Sequence, residues 1–250
     1  MTHLDGTIDP RFEPLAQVLQ AQLESGYDLG ASLAVAVDGE IVTDCWGGWA
    51  DEARNEPWHS DTITNVWSTT KTMTALCALI LVDRGLLDPN ERVATYWPEF
   101  AANGKADIEV RHVMSHTSGV SAWAQPVTVD DVLDDDRATE MLAGQEPWWE
   151  PGTASGYHAL NQGHLVGEVI RRVDGRGLKQ FFAEEVAGPL GLDFWIGLPE
   201  SEEPRVSRLE AAPARTDPAD FAMMMKIMGP GTMGFKALTM NGSLMALGTG

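Results

Sequence analysis

One tetrapeptide, Ser68-Thr69-Thr70-Lys71, constrains this chain more than any other feature, because of the apolar run behind it. The run Met73-Thr74-Ala75-Leu76-Cys77-Ala78-Leu79-Ile80-Leu81-Val82 carries no charge and ends at Asp83-Arg84-Gly85. Ten apolar and small residues closed by glycine predict a helix, and one that is apolar on nearly every side is expected to be buried. Serine and lysine three apart then share a face, about one turn from each other. A serine hydroxyl is a weak nucleophile until a neighbour takes its proton, and a lysine amine does so if burial keeps it neutral. Free N–H groups at the helix start favour negative charge developing at Ser68. A chain of 250 residues with 11 serines and 5 lysines holds about 0.2 such pairs by accident. The alternative is a serine N-cap followed by a solvated lysine. The flanks oppose it: Trp67 precedes the serine, and lysine is rarely placed at the head of a buried helix.

Elsewhere the pattern is helical with one early hairpin. Asp9-Pro10 reads as an N-cap with proline at the first helical position, Leu15, Val18, Leu19 and Leu23 mark a helical face, and Gly26 stops it. Ala31–Val37 and Glu40–Gly47 flank Asp38-Gly39, the signature of a β-hairpin. Two strands make no stable sheet, so further strands are expected from the C-terminal end or are absent. Short helices are expected over Glu109–Met114, much of 129–143 behind the capping box opened by Thr128, a stretch marked by Leu160, His164, Leu165 and Val169, and Leu178–Val186. Val206–Ala212 reads as a strand, and Gly229–Gly250 has no legible terminal logic. This divides the chain into an N-terminal helix and hairpin over 1–64, a mostly helical lobe over 65–198, and an incomplete return to the first lobe over 199–250.

Charge and composition narrow the function. A net charge of −20 opposes nucleic acid or an anionic membrane as partner, since like charges repel. No apolar stretch reaches membrane-spanning length. Met1-Thr2-His3-Leu4-Asp5-Gly6 lacks the basic and apolar regions of a signal peptide, so a cytoplasmic location is the default. Two cysteines are too few for a disulfide framework, and Cys77 reads as packing. The acidic runs at Asp130-Asp131 and Asp134-Asp135-Asp136 fit a solvated surface better than a cation loop. His112 and His116 are four apart, but the glutamate of a zinc-protease helix is missing between them. No metal or cofactor is expected. Met223-Met224-Met225 reads as apolar filler or a lid, and Trp148-Trp149 as core or the wall of an acyl pocket.

Three segments in order carry a resemblance: Trp67-Ser68-Thr69-Thr70-Lys71; Val110-Arg111-His112-Val113-Met114-Ser115-His116-Thr117-Ser118-Gly119; and Pro147-Trp148-Trp149-Glu150-Pro151-Gly152 leading to Gly156-Tyr157-His158-Ala159. Across most of 10–198 the chain resembles the serine β-lactamase and penicillin-binding superfamily, and more narrowly the family VIII carboxylesterases, esterases on a class C β-lactamase-like fold. The resemblance implies an α+β fold with a helical lobe packed on an antiparallel sheet and the active site in the cleft between them. It implies an acyl-enzyme on Ser68, with Lys71 and Tyr157 sharing the proton work in an order that sequence leaves open. It also implies that the Ser68 N–H supplies half of an oxyanion hole, and that His112 and His116 are structural. The implied substrate is a small ester.

The chain departs from the family in two places. Class C β-lactamases carry tyrosine-x-asparagine where this chain has Tyr157-His158-Ala159, which matches the esterase branch. The family's third motif, on a late strand, is not found; Trp46-Gly47-Gly48 lies on the early hairpin and does not take its role. The family continues for on the order of a hundred residues beyond this point, as for a missing subdomain, so the chain reads as a truncated product. A serine carboxylesterase is therefore the first reading, a β-lactamase or D-alanyl peptidase the second, and a catalytically silent fragment the third.

Overall fold

The structure, a computed structural model, describes residues 3–210 and 217–240. They group into two compact units: 3–66 with 198–210, and 67–197 with 217–240.

The first unit is a small antiparallel sheet under one helix. Strands β1 (Asp5–Ile8), β2 (Gly30–Val37) and β3 (Glu40–Gly48) lie in the order β1-β3-β2. The hairpin turn takes the left-handed backbone that Asp-Gly permits, with φ of 53° at Asp38 and 84° at Gly39. Thr43, Cys45 and Gly47 alternate inward along β3, as a half-buried strand requires. Helix α1 (Glu13–Ser25), entered through a 3-10 turn that Asp9 caps, ends at Gly26 with φ 74°. It lays Ala16, Leu19 and Leu23 on Leu4 and Cys45.

Three features of this unit differ from the sequence expectation. The third strand comes from the N-terminus, where β1 pairs with Thr43–Trp46 of β3. The buried face of α1 is rotated by about one residue: Ala16 takes the inner position, and Leu15 and Val18 are 46% and 58% exposed. Near the C-terminal end, Val206 makes only a single parallel bridge to Ile63, and residues 207–210 add no strand. Ala212 and residues 241–250 lie outside the described residues.

The second unit is helical. A 3-10 turn, Trp67–Thr69, leads into α2 (Thr70–Asp83), followed by α3 (Val93–Tyr96), α4 (Val110–Met114), α5 (Val129–Leu133), α6 (Asp135–Gly144) and α7 (Gln162–Asp174). Then come α8 (Leu178–Phe182), continued by a π turn over Ala183–Ala187, α9 (Gly188–Leu190), α10 (Pro218–Met228) and α11 (Met233–Thr239). Its core joins Cys77, Ala78 and Leu81 of α2 to Leu142, Leu165, Val169, Ile170, Phe181 and Phe182, with Trp97 and Trp123 fully enclosed.

Several acids do more than solvate the surface. Thr128 and Asp131 cap α5 reciprocally, and Asp134 caps α6 through the Arg137 N–H. Two apolar segments are less buried than their composition predicts. Leu76 and Leu79, on the side of α2 opposite Cys77 and Ala78, are 37% and 52% exposed. Met223, Met224 and Met225 in α10 are 42–60% exposed, so this run is not core filler.

Candidate active site

Ser68 lies in the 3-10 turn just before α2 rather than inside the helix, and its side chain is exposed. The residue before it, Trp67, has φ 47°. A bulky aromatic in left-handed backbone stores strain on the order of 1–3 kcal/mol, and such residues concentrate at functional turns. Lys71, in the first turn of α2, is half-buried. Its Nζ donates to Ser68 Oγ at 3.3 Å and to the carbonyl of Ala159 at 2.7 Å, across 88 residues of sequence. The same nitrogen stands 5.0 Å from the centroid of the Tyr157 ring. The structure thus sets Lys71 against both Ser68 and the Tyr157 ring. The Ala159 carbonyl holds the lysine at the place where a tyrosine-x-asparagine motif would carry an amide side chain.

The two histidine-bearing segments build the support for Tyr157. After α4 the chain turns sharply at His116, with φ 65°. The Gly156 N–H donates to the His116 carbonyl at 3.0 Å, the Gly152 N–H to that of Thr117 at 2.9 Å, and the Trp148 N–H to that of Gly119 at 2.8 Å. Residues 116–119 and 148–156 are therefore laced backbone to backbone. Gly119 is needed for this approach: at φ 81°, an added Cβ would stand 2.7 Å from the Trp149 carbonyl oxygen and 2.8 Å from Pro147 Cβ.

Side chains complete the lacing. His116 Nδ1 accepts from the His158 N–H at 3.1 Å, and its ring meets the Tyr157 ring edge-on at 4.8 Å. His158 is fully buried; Nδ1 lies 2.6 Å from the Gly156 carbonyl and Nε2 lies 2.6 Å from Ser118 Oγ. The Gly156 carbonyl only accepts, so the neutral His158 ring carries its hydrogen on Nδ1, and Ser118 Oγ, which accepts from the Val120 N–H, donates its own proton to Nε2. Burial pushes the His158 pKa down to about 4, more than the Gly156 bond restores. His116 is also lowered, first by burial and then by neighbouring Lys71.

Both histidines are thus occupied in holding backbone. His112 is too: its Nδ1 accepts the Glu109 N–H and closes the cap of α4. Helix α4 ends at Met114, so His112 and His116 are not on consecutive turns of one helix. Among the described residues no group of three or more histidine, cysteine or carboxylate side chains is placed to hold a metal ion.

Trp148 packs beside the buried Ala122, Ala159 and Ala237 with Lys236 over its ring, and the indole N–H of Trp149 is buried with no hydrogen-bond partner among the described residues. Asn161 is the N-cap residue of α7, and its amide donates to the Val120 carbonyl at 2.9 Å. Cys77 is enclosed, and burial pushes its thiol up to about 11, which suits packing and not nucleophilic chemistry. Gly48 has φ 87° and lies so close to the Leu29 carbonyl that a side chain would collide, which accounts structurally for its place in Trp46-Gly47-Gly48. Among the described residues no helix is long and apolar enough to cross a membrane.

Comparison with known proteins identifies the family. The family model described as Beta-lactamase matches residues 15–243. The esterase/beta-lactamase LipL of Mycobacterium tuberculosis is 41% identical over 200 residues, covering 80% of this chain and 46% of that protein. The crystal structure of a family VIII carboxylesterase superposes with a TM-score of 0.79 at 48% identity, over 82% of this chain and 57% of that one. A penicillin-binding protein homologue from Caulobacter crescentus gives 0.81 at 41% identity, over 84% and 56%. The chain spans about half the length of the relatives it matches.

Proposed function

Because this chain belongs to the beta-lactamase family, we propose that it is a serine hydrolase cleaving short-chain carboxylic esters through an acyl-enzyme on Ser68. The observation that carries the reading is the placement of Lys71 Nζ between Ser68 Oγ, at 3.3 Å, and the Ala159 carbonyl, at 2.7 Å, under the Tyr157 ring. In the first half-reaction Ser68 Oγ bonds to the ester carbonyl carbon as its proton passes to the Lys71–Tyr157 pair. The tetrahedral oxyanion collects negative charge beside the Ser68 N–H. Collapse breaks the bond to the alcohol oxygen, which takes the proton from the same pair. Water then attacks the acyl carbon, gives its proton to the pair, and releases the carboxylic acid while Ser68 recovers its hydrogen.

Relatives named as esterases alone, among them a family VIII carboxylesterase, support this reading, while LipL carries both names. Ala159 points the same way, because alanine carries no side-chain amide where a tyrosine-x-asparagine motif has one. The substrate is a small neutral or cationic ester, in keeping with a net charge of −20. Two free, buried cysteines accord with a cytoplasmic setting. The test is hydrolysis of p-nitrophenyl butyrate by this chain beside its Ser68→Ala variant, with a chromogenic cephalosporin as second substrate. Ester turnover that disappears in the variant is the expected result. Equal rates in both would remove Ser68 as the nucleophile, faster cephalosporin turnover would favour the lactamase reading, and inactivity on both substrates would favour a silent fragment.

A further inference from the structure

Tyr157 is exposed at 44%, yet its backbone is pinned on both sides by one residue. On the preceding side the Gly156 N–H donates to the His116 carbonyl at 3.0 Å; on the following side the His158 N–H donates to His116 Nδ1 at 3.1 Å. These two bonds differ in one respect. A carbonyl accepts at any pH, whereas Nδ1 accepts only while its lone pair is free. Protonation of His116 would set an N–H against the His158 N–H, leaving that buried donor unpaired and the Tyr157 turn open on one side.

We propose that His116 is a positioning residue that locks Tyr157 beside Lys71 only in its neutral form, so that mild acid disarms the site through the Tyr157 turn. The inference rests on the reading of Ser68, Lys71 and Tyr157 as the reacting set, which it deepens by adding a control on the third member. The Ser68–Lys71 bond involves no residue of the His116 segment, but the turn reaches Lys71 through Ala159, whose carbonyl accepts from Nζ and whose N–H donates to the Tyr157 carbonyl.

The surroundings of His116 leave it as the group that switches. The titratable groups that act on it are Lys71 from α2, and Tyr157 and His158, whose rings meet its own, from the loop before α7; His112, on its own segment, is occupied by the cap of α4. His158 is fully buried with both ring nitrogens engaged, so it stays neutral where His116, half-buried, exchanges its proton. Partial burial first, and then the neighbouring Lys71, favour the neutral imidazole, so the lock is closed at neutral pH. The left-handed backbone at His116 also limits which substitutions are informative: asparagine tolerates it, and its side-chain oxygen occupies the place of Nδ1.

The experiment compares wild type, His116→Asn and His116→Phe. Asparagine keeps an acceptor that does not titrate, and phenylalanine keeps a ring without an acceptor. For p-nitrophenyl butyrate between pH 5 and 8, His116→Phe is expected to lower kcat by roughly tenfold to a hundredfold at every pH with KM nearly constant, as for a misplaced catalytic group. His116→Asn is expected to retain kcat at pH 8 within about threefold and to lose the acid limb of the wild-type profile. In parallel, hydrogen exchange at the His158 amide is followed over the same range. Its protection should fall in wild type as pH drops, stay level in His116→Asn, and be low throughout in His116→Phe. Equal losses in both variants, or an acid limb unchanged in His116→Asn, would overturn the proposal. The amide readout needs no catalysis. Inactivity of every form would count against the ester reading alone, whereas a His158 amide whose protection ignores pH in wild type would sink the lock.

Discussion

Lowering the pH from 7 to 5 should destabilise the helical unit by about 2 kcal/mol through His158 alone. Burial is the main cause holding this imidazole neutral, with His116 and Lys71 adding to it and the Gly156 carbonyl partly opposing; the result is a pKa of about 4 against an ordinary 6.5. The folded value lies below the unfolded one, so the unfolded chain takes up the proton first. The contribution is therefore complete above about pH 6.5 and is lost as pH falls toward 4. At 1.36 kcal/mol per pKa unit the whole window is worth about 3 kcal/mol, and the step from pH 7 to 5 about 2. Urea unfolding, followed by the fluorescence of the enclosed Trp97 and Trp123, measures the step in wild type and in His158→Asn. The variant keeps a donor toward the Gly156 carbonyl but leaves the Ser118 hydroxyl without an acceptor, a pH-independent cost of about 1–3 kcal/mol. Carboxylates and the remaining histidines titrate in both proteins and cancel in the difference. The variant should thus start less stable and lose about 2 kcal/mol less on acidification. Parallel pH slopes would refute the reasoning, whatever the offset between the two curves.

Other perturbations separate packing from chemistry. Lys71→Met leaves the Ala159 carbonyl without its donor and should cut kcat for p-nitrophenyl butyrate by about a thousandfold or more with KM little changed; a loss below tenfold would argue against a role in proton transfer. Gly119→Ala should cost about 2–4 kcal/mol by urea unfolding, because left-handed strain and a 2.7 Å collision with the Trp149 carbonyl add. Gly26→Ala is the contrast: its φ is also positive, at 74°, but nothing stands within 4 Å, and the cost should stay near 1 kcal/mol. Equal costs at the two glycines would mean that crowding contributes nothing. Leu142→Ala, at a fully buried position in the helical core, should cost about 3 kcal/mol in the same assay.

Features written in neighbouring residues are legible without the structure. The Asp38-Gly39 turn, the Gly26 stop, the Thr128 cap and the Ser68–Lys71 spacing each rest on contacts within a few positions, so local chemistry fixes them. Strand β1 escapes a sequence reading because Asp-Gly-Thr-Ile is short and shows no alternation; only its pairing with β3 makes it a strand. The face of α1 is misjudged by one position because Leu15 and Val18 look like core residues, whereas the sheet selects small Ala16. Tyr157 enters through its resemblance to a family motif, since nothing local ties it to a lysine 86 positions earlier. The lock formed by His116 and His158 has no sequence signal beyond the presence of the histidines. It is a tertiary bond across 42 residues, and buried histidines of this kind are read more easily from a fold than from a pattern.

Covalent capture of the nucleophile tests the central claim most directly. Incubation with an alkyl p-nitrophenyl phosphonate should form a bond from Ser68 Oγ to phosphorus as p-nitrophenolate leaves, and peptide mass spectrometry locates the adduct. The account predicts one equivalent on Ser68, none in Ser68→Ala, and slow labelling in Lys71→Met. Labelling of another residue, or equal labelling of wild type and Ser68→Ala, would contradict it.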